Sequence, residues 1–412
     1  MNKRVVVTGM GILCPLGINL KSYWDSLCNG VSGVDHITRF DTTDFEVKIA
    51  AEIKDFNTDD WIDRKEARKM DGFTKYGIIA ADFAVKDAAI NFEKVDRDRV
   101  GIITGSGIGG MDTFEKEYRT LFEKGPKRVS PFFIPMMIPD ILPGRISIQY
   151  GCRGPNYSVV SACASSLHAI GNAFRDIKYG VTDMMIAGGS ECTITPMGIA
   201  GFSNMRALST RNDDPKHASR PFDKERDGFV VGEGAAMLIL ESEEHALKRD
   251  ARIYAEICGI GYSADAYHIT APVPDGGGAA LSMLNSIAEA GITIDNIDYI
   301  NAHGTSTPYN DKTETTAIKN AFGRRAFDIP ISSTKSMIGH LLGASGGAEL
   351  IATILSVNHN TIHPTINYEV PDPECDLNYT PNKAVEKEIN YALSNSFGFG
   401  GHNASIIVAK YR

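Results

Sequence analysis

The sequence predicts an α/β fold made of one unit used twice, and three observations carry that prediction. Short apolar runs alternate with helical patterns along the chain, the mark of largely buried strands separated by helices. Ten such runs occur, and the second five repeat the order of local patterns seen in the first five. Several runs also end in small-residue loops, and the carboxyl ends of strands are where α/β folds place ligands.

The first set is RVVVTGM (4–10), VGIITGS (100–106), NYSVVSA (156–162), DMMIAGG (183–189) and AAMLILE (235–241). The second is RIYAEICGIGYS (252–263), IDYINAH (297–303), IPISSTK (329–335), YALSNSF (391–397) and ASIIVAK (404–410). VGIITGSGIGG and IDYINAHGTST are each a strand running into small residues. NYSVVSACASS and IPISSTKSMIGHLLGASGG each continue through a polar turn into a small-residue helix start, and DMMIAGGSEC and YALSNSFGFGG each end in glycines. The charged stretch EHALKRD (244–250) marks the junction, which divides the chain into 1–250 and 251–412.

The 412 residues are 43% hydrophobic and 23% charged, ordinary globular values. A net charge of −9 argues against nucleic-acid binding through the bulk field. Seven widely spaced cysteines without a CxxC fit neither a disulfide framework nor a zinc site. The opening MNKRVVVTGMGILCPLG is interrupted by glycines and lacks a cleavage pattern, and no run of 18 apolar residues occurs. The expectation is a cytoplasmic protein with no membrane span and no metal site.

Two glycine patterns suggest a dinucleotide site and fail the test of context. GSGIGG (105–110) follows a strand, but SPFFIPMMIPD with three prolines comes soon after. VVVTGMG leads to Asp35 without an intervening apolar strand. These glycines are read as tight turns and close backbone approaches.

Cys163 stands where an apolar run meets small residues, in VVSACASS. Leu167, Ile170, Phe174 and Ile177 then form an apolar stripe at helical spacing. Cys163 is therefore expected in the first helical turn, where free N–H groups and the dipole would favour a thiolate or hold an oxyanion. Buried packing is the plain alternative for any unpaired cysteine. His303, ending IDYINAH, and His340, in TKSMIGHLLGASGG, occupy equivalent points of the pseudo-repeat and could converge on it.

VSACASS, NAHGTST, KSMIGHLLGASG and NSFGFGGHN together resemble, in order and spacing, the motifs of β-ketoacyl-acyl carrier protein synthases, most closely the type II elongating enzymes. The resemblance runs from VVVTGMG to NASIIVAK. It implies a thiolase-like duplicated five-layer αβαβα fold and a homodimer. It implies that Cys163 takes an acyl chain from the pantetheine thiol of acyl carrier protein, while His303 and His340 promote decarboxylation of the malonyl unit. Two histidines, rather than histidine with asparagine, set this pattern apart from the chain-initiating synthases. No separate cofactor is implied, since substrates ride on the phosphopantetheine arm.

The same resemblance extends to supporting residues. Lys335 and Glu349 match the family's lysine and its partner acid. The N–H of Phe399 in GFGG would join that of Cys163 as an oxyanion hole. Thr305, Thr307 and Thr270 would bind the pantetheine arm or malonyl group, with strand-end capping the alternative for the first two. Ile108 would close the far end of the acyl pocket, Phe133 would reach it from the partner subunit, Phe399 would gate its mouth, and Phe397 would contact substrate. Lys65, Arg68, Lys69, Lys127, Arg128 and Arg206 would dock the acidic carrier protein. His402 departs from the family's usual threonine. The rivals are a polyketide or specialised-lipid ketosynthase, a non-catalytic chain-length subunit, which typically lacks the nucleophile, and a cysteine hydrolase, which needs only one histidine.

Overall fold

The computed structural model describes residues 2–412. All ten predicted strands are present: β1 Val5–Leu13, β2 Val100–Gly105, β3 Asn156–Val159, β4 Met184–Glu191, β5 Gly234–Ser242, β6 Ala255–Ala264, β7 Tyr299–Asn301, β8 Ile331–Ser332, β9 Tyr391–Gly398 and β10 His402–Ala409. They form one sheet in the order β8-β7-β9-β10-β6-β1-β5-β4-β2-β3. That order is symmetric about its centre: adding five to each strand number of the first half generates the second. The directions match as well. β2 runs parallel to β3 and β4, β4 is antiparallel to β5, and β5 to β1. In the second half β7 runs parallel to β8 and β9, β9 is antiparallel to β10, and β10 to β6. Val5–Val7 of β1 and Ala255–Ile257 of β6 zip the halves together.

Seven main helices pack on these strands: α1 Gly72–Asp87, α2 Met111–Lys124, α3 Ile141–Tyr150, α4 Ser165–Lys178, α5 Gly277–Ala290, α6 Pro308–Phe322 and α7 Ser345–His359. The central apolar cluster joins α4 and α7 to inward-facing residues of both half-sheets, and Leu167, Ile170, Phe174 and Ile177 all fall in it. A second cluster packs α1 and α3 on the outer face of the first half, and a third packs α5 and α6 on the outer face of the second. The layers are thus helix, sheet, helix, sheet, helix, the arrangement expected.

The N-terminal glycines find their explanation here. A Cβ on Gly9 or Gly11 of β1 would meet the carbonyl oxygens of Ala84 and Ala80 in α1 at 2.4 and 2.0 Å. Gly259 and Gly261 of β6 stand in the same relation to Ser286 and Ser282 of α5, at 2.1 and 1.8 Å. They allow a helix to lie directly on a strand. One element is shorter than its pattern: IPISSTK yields only two strand residues. The Ser333 hydroxyl donates to Gly304 O (2.7 Å) and that of Ser336 to Ser333 O (2.9 Å), so side-chain bonding turns the chain early.

Candidate active site

β3 ends just before Cys163, which lies in the tight turn Ala162–Ala164 that leads into α4. Ala162 is held at φ +50°, an unfavourable region for a residue with a side chain, so the turn is a built feature. The Ser165 hydroxyl donates to Ala162 O (2.6 Å) and accepts from Ser161 N–H (2.9 Å), and Ser396 Oγ donates to Cys163 O (2.9 Å). Gly398 rests so close that a Cβ would sit 3.1 Å from Cys163 N. The structure differs from expectation in one respect. Cys163 precedes the α-helix rather than occupying its first turn, and burial pushes its thiol up to about 12, against the lowering effects of Lys335 and a hydrogen bond from Phe399 N–H. At rest the group is a thiol, because desolvation outweighs the helix end.

His303 follows β7 and is buried. Its backbone N–H and that of Gly304 both donate to the Glu314 carboxylate, at 2.8 and 2.7 Å. Lys335, also buried, donates to His303 O (2.6 Å), to His303 Nδ1 (3.2 Å) and to Glu349. An ammonium only donates, so Nδ1 of His303 accepts and the ring proton sits on Nε2. His340 reaches the same tautomer by another device: Leu342 N–H donates to its Nδ1 (3.2 Å), leaving Nε2–H free. Ser345 Oγ also lies 2.8 Å from that Nδ1. Burial and the Lys335 charge hold both imidazoles well below the usual range, so both are neutral donors at pH 7. Their ring centroids lie 5.4 Å apart with planes at 84°.

Cys163, His303 and His340 line one cavity of about 510 Å3. Ile108, Thr270, Thr305, Thr307, Phe397, Phe399 and Arg206 line it too. Lys335 and Glu349 stand behind the histidines as a buried pair. Thr305 and Thr307 share a hydroxyl–hydroxyl bond (2.9 Å), and Thr307 also caps α6, so line and cap coincide. Phe133, on the short helix Phe133–Met137, lies outside this chain's own cavity and packs near Phe114, ring centroids 6.5 Å apart. Lys65, Arg68, Lys127, Arg128 and Arg206 are exposed. Lys69 is tied down locally, 2.7 Å from Glu66 and over the Phe132 ring.

Sequence reasoning passed over three buried acids. Glu314 holds the His303 backbone, as described. Asp311 accepts from the N–H groups of Thr305 (3.0 Å), Ser306 (3.1 Å) and Phe222 (2.7 Å). Their spacing within the first two turns of α6, directly after HGTST, was the available signal. Glu191 ends the otherwise uncharged β4 among small residues, a position where an acid needs a reason.

A cysteine on a strained turn with the Phe399 N–H beside it, and two neutral imidazole donors at the same cavity, on a duplicated five-layer fold, define a condensing-enzyme class of site. Comparison with known proteins agrees. Residues 2–246 match the β-ketoacyl synthase N-terminal domain and 254–369 the C-terminal domain. A 3-oxoacyl-[acyl-carrier-protein] synthase 2 of Staphylococcus aureus is 54% identical over 410 residues, covering 100% of this chain and 99% of the relative. One of Synechocystis is 50% identical with the same coverage. Among solved structures, a β-ketoacyl synthase of Burkholderia phymatum superposes with a TM-score of 0.92 at 36% identity, covering 100% of both chains. A type II polyketide ketosynthase in complex with its acyl carrier protein gives 0.91 at 34%, again covering both chains fully. The chain belongs to the β-ketoacyl synthase family.

Proposed function

We propose that this protein extends fatty acyl chains by two carbons through decarboxylative condensation with malonyl-acyl carrier protein. The observation that carries the reading is the pair of neutral imidazoles, each locked as an Nε2–H donor, beside a buried nucleophilic cysteine. The 50–54% identity to 3-oxoacyl-[acyl-carrier-protein] synthases 2, against 34% for the polyketide ketosynthase, supports a fatty acid rather than a polyketide substrate.

The steps balance with two thioesters alone. Cys163 Sγ attacks the acyl thioester; its proton ends on the departing pantetheine sulfur, and the acyl group remains on cysteine. The malonyl thioester then loses CO2. The negative charge that develops on its thioester oxygen is met by the Nε2–H groups of His303 and His340. The enolate carbon attacks the acyl-cysteine carbonyl, whose oxyanion is held by the N–H groups of Cys163 and Phe399. Collapse expels the Cys163 thiolate, which takes a proton from solvent. On this reading residues 1–250 supply the nucleophile and 251–412 the histidine pair. Substrates arrive on the phosphopantetheine arm, past Thr270, Thr305 and Thr307, and no dissociable cofactor enters.

Acyl carrier protein docks on the exposed Lys65, Arg68, Lys127, Arg128 and Arg206, with Lys69 contributing less. The enzyme acts in the cytoplasm as a homodimer, with Phe133 completing the partner's acyl pocket. Among the described residues no helix is long and apolar enough to cross a membrane. The test is mass spectrometry of Cys163 after mixing with acyl carrier proteins of several chain lengths and then with malonyl carrier protein. A saturated acyl adduct that converts to a ketoacyl product two carbons longer is the expected result. Adducts from ketoacyl or aryl starters alone would transfer the reading to a polyketide enzyme, and no adduct at all would overturn it.

A further inference from the structure

We propose that Glu191 is a positioning residue for acyl-chain selection: its carboxylate fixes both walls of the apolar end of the cavity. This rests on the reading that the acyl chain occupies that end, beside Ile108.

Glu191 is wholly buried, and no cation lies within ion-pair distance of it among the described residues. It accepts four hydrogen bonds instead. Oε1 takes Ser106 Oγ–H (3.0 Å) and Ile108 N–H (3.2 Å), while Oε2 takes Gly107 N–H (2.7 Å) and Gly343 N–H (3.0 Å). Three of these donors belong to the GSGIGG loop of the first half, and the fourth to the turn Leu342–Ala344 of the second. Ile108 and Leu342, the side chains those segments carry, both line the cavity and share an apolar cluster with Phe202 and Phe229. The two backbones touch: a Cβ on Gly343 would meet Gly107 N at 2.2 Å and Glu191 Oε2 at 2.7 Å. Leu342 sits at φ +47°, a strained conformation held by its own N–H to His340 and the next N–H to Glu191.

A carboxylate offers acceptor sites for four donors, which no other side chain of this size does. Glutamine has nearly the same shape, and its NH2 is best placed at the Oε1 position, where Ser106 Oγ can turn to accept but the Ile108 N–H loses its acceptor. The wall carrying Ile108 would then be released, while Gly343 N–H keeps its acceptor and the turn carrying Leu342, with its hold on His340, stays in place. A long acyl chain that fills the end of the cavity depends on both walls; an acetyl group near Cys163 does not.

The experiment compares wild type, Glu191→Gln and the milder Ser106→Ala, following acylation of Cys163 by mass spectrometry with carrier-bound chains from two to sixteen carbons. CO2 release from malonyl carrier protein is measured in parallel. For Glu191→Gln the expected result is a roughly tenfold or greater fall in loading of long chains, with acetyl loading and CO2 release within about threefold of wild type. Ser106→Ala, which removes a single donor, should shift the profile the same way by less, and serves if Glu191→Gln fails to fold. An equal loss at every length and in CO2 release would reduce Glu191 to a structural staple and overturn the proposal, as would an unchanged profile. If wild type itself loads no chain beyond acetyl, the acyl-pocket reading fails first and the proposal falls with it.

Discussion

The two histidines share a tautomer but not the means of keeping it, and that difference is testable. His303 depends on one side chain, Lys335, whose three N–H donors are all committed, to His303 twice and to Glu349. His340 depends on a backbone N–H, with Ser345 as a second neighbour. Lys335→Met should therefore lower CO2 release from malonyl carrier protein by about 10²-fold, the scale of losing one preorganised donor. It should also destabilise the fold by about 3–5 kcal/mol to the extent that Glu349 keeps its charge without a partner. Ser345→Ala should cost only a few-fold, since the Leu342 N–H remains. Comparable losses in the two variants, measured as initial rates of CO2 release, would refute the asymmetry. The convergence of Cys163, His303 and His340 on one cavity, with Lys335 behind it, was legible because each sits in a short motif at a strand end. Glu191, Asp311 and Glu314 were passed over: most of their partners are backbone N–H groups supplied by loops, so only their positions, at the end of an uncharged strand or directly after HGTST, could have announced them.

At the level of elements, the strands were legible because burial on both faces makes each a short, nearly continuous apolar run, as the uninterrupted burial of β1, β4 and β5 reflects. IPISSTK misled because serine and threonine hydroxyls end a strand without any change in apolar pattern. The one-turn helix Arg64–Ala67 is the opposite case, a surface element whose meaning lies in charge. Lys65 and Arg68 project from it or just beyond it, and Arg206 stands at the cavity mouth. With a net charge of −9 on the whole chain, attraction of an acidic carrier must come from such local groups. Raising salt from about 0.05 to 0.5 M shortens the screening length to a few ångströms and should raise the KM for acyl carrier protein several-fold. The double variant Arg68→Glu, Lys127→Glu, at two exposed groups outside the cavity lining, should do the same at low salt. Loading from an uncharged acyl-pantetheine should respond to neither change. A KM indifferent to salt and to charge reversal would remove these residues from the docking surface.

The molecule as a whole has one unfinished edge. Of the two outermost strands, β8 is fully buried, while β3 is exposed along half its length. An exposed strand edge presents unpaired N–H and C=O groups and is normally covered or charged. Here it is neither, and apolar side chains stand on or beside it: Tyr157 on the strand is 40% exposed, Val160 just past its end 60%, and Ile148 on α3, which packs against β3, 84%. Antiparallel pairing of β3 with β3 of a second copy is self-complementary, closes under a twofold axis and joins the two sheets into one. The two ends of the main sheet differ because the second unit shields its equivalent strand with the chain that follows β8, where Ile331 N–H donates to Asn378 O (2.8 Å). Sedimentation equilibrium should therefore give twice the chain mass of 44.7 kDa. Val160→Lys, which sets two like charges across the axis, should shift the protein toward monomer and depress long-chain loading more than acetyl loading, because Phe133 no longer completes the pocket. A wild-type protein that sediments at one chain mass would dismiss the dimer outright. A Val160→Lys monomer that loads long chains at the wild-type rate would keep the dimer but strip Phe133 of its part in the partner's pocket.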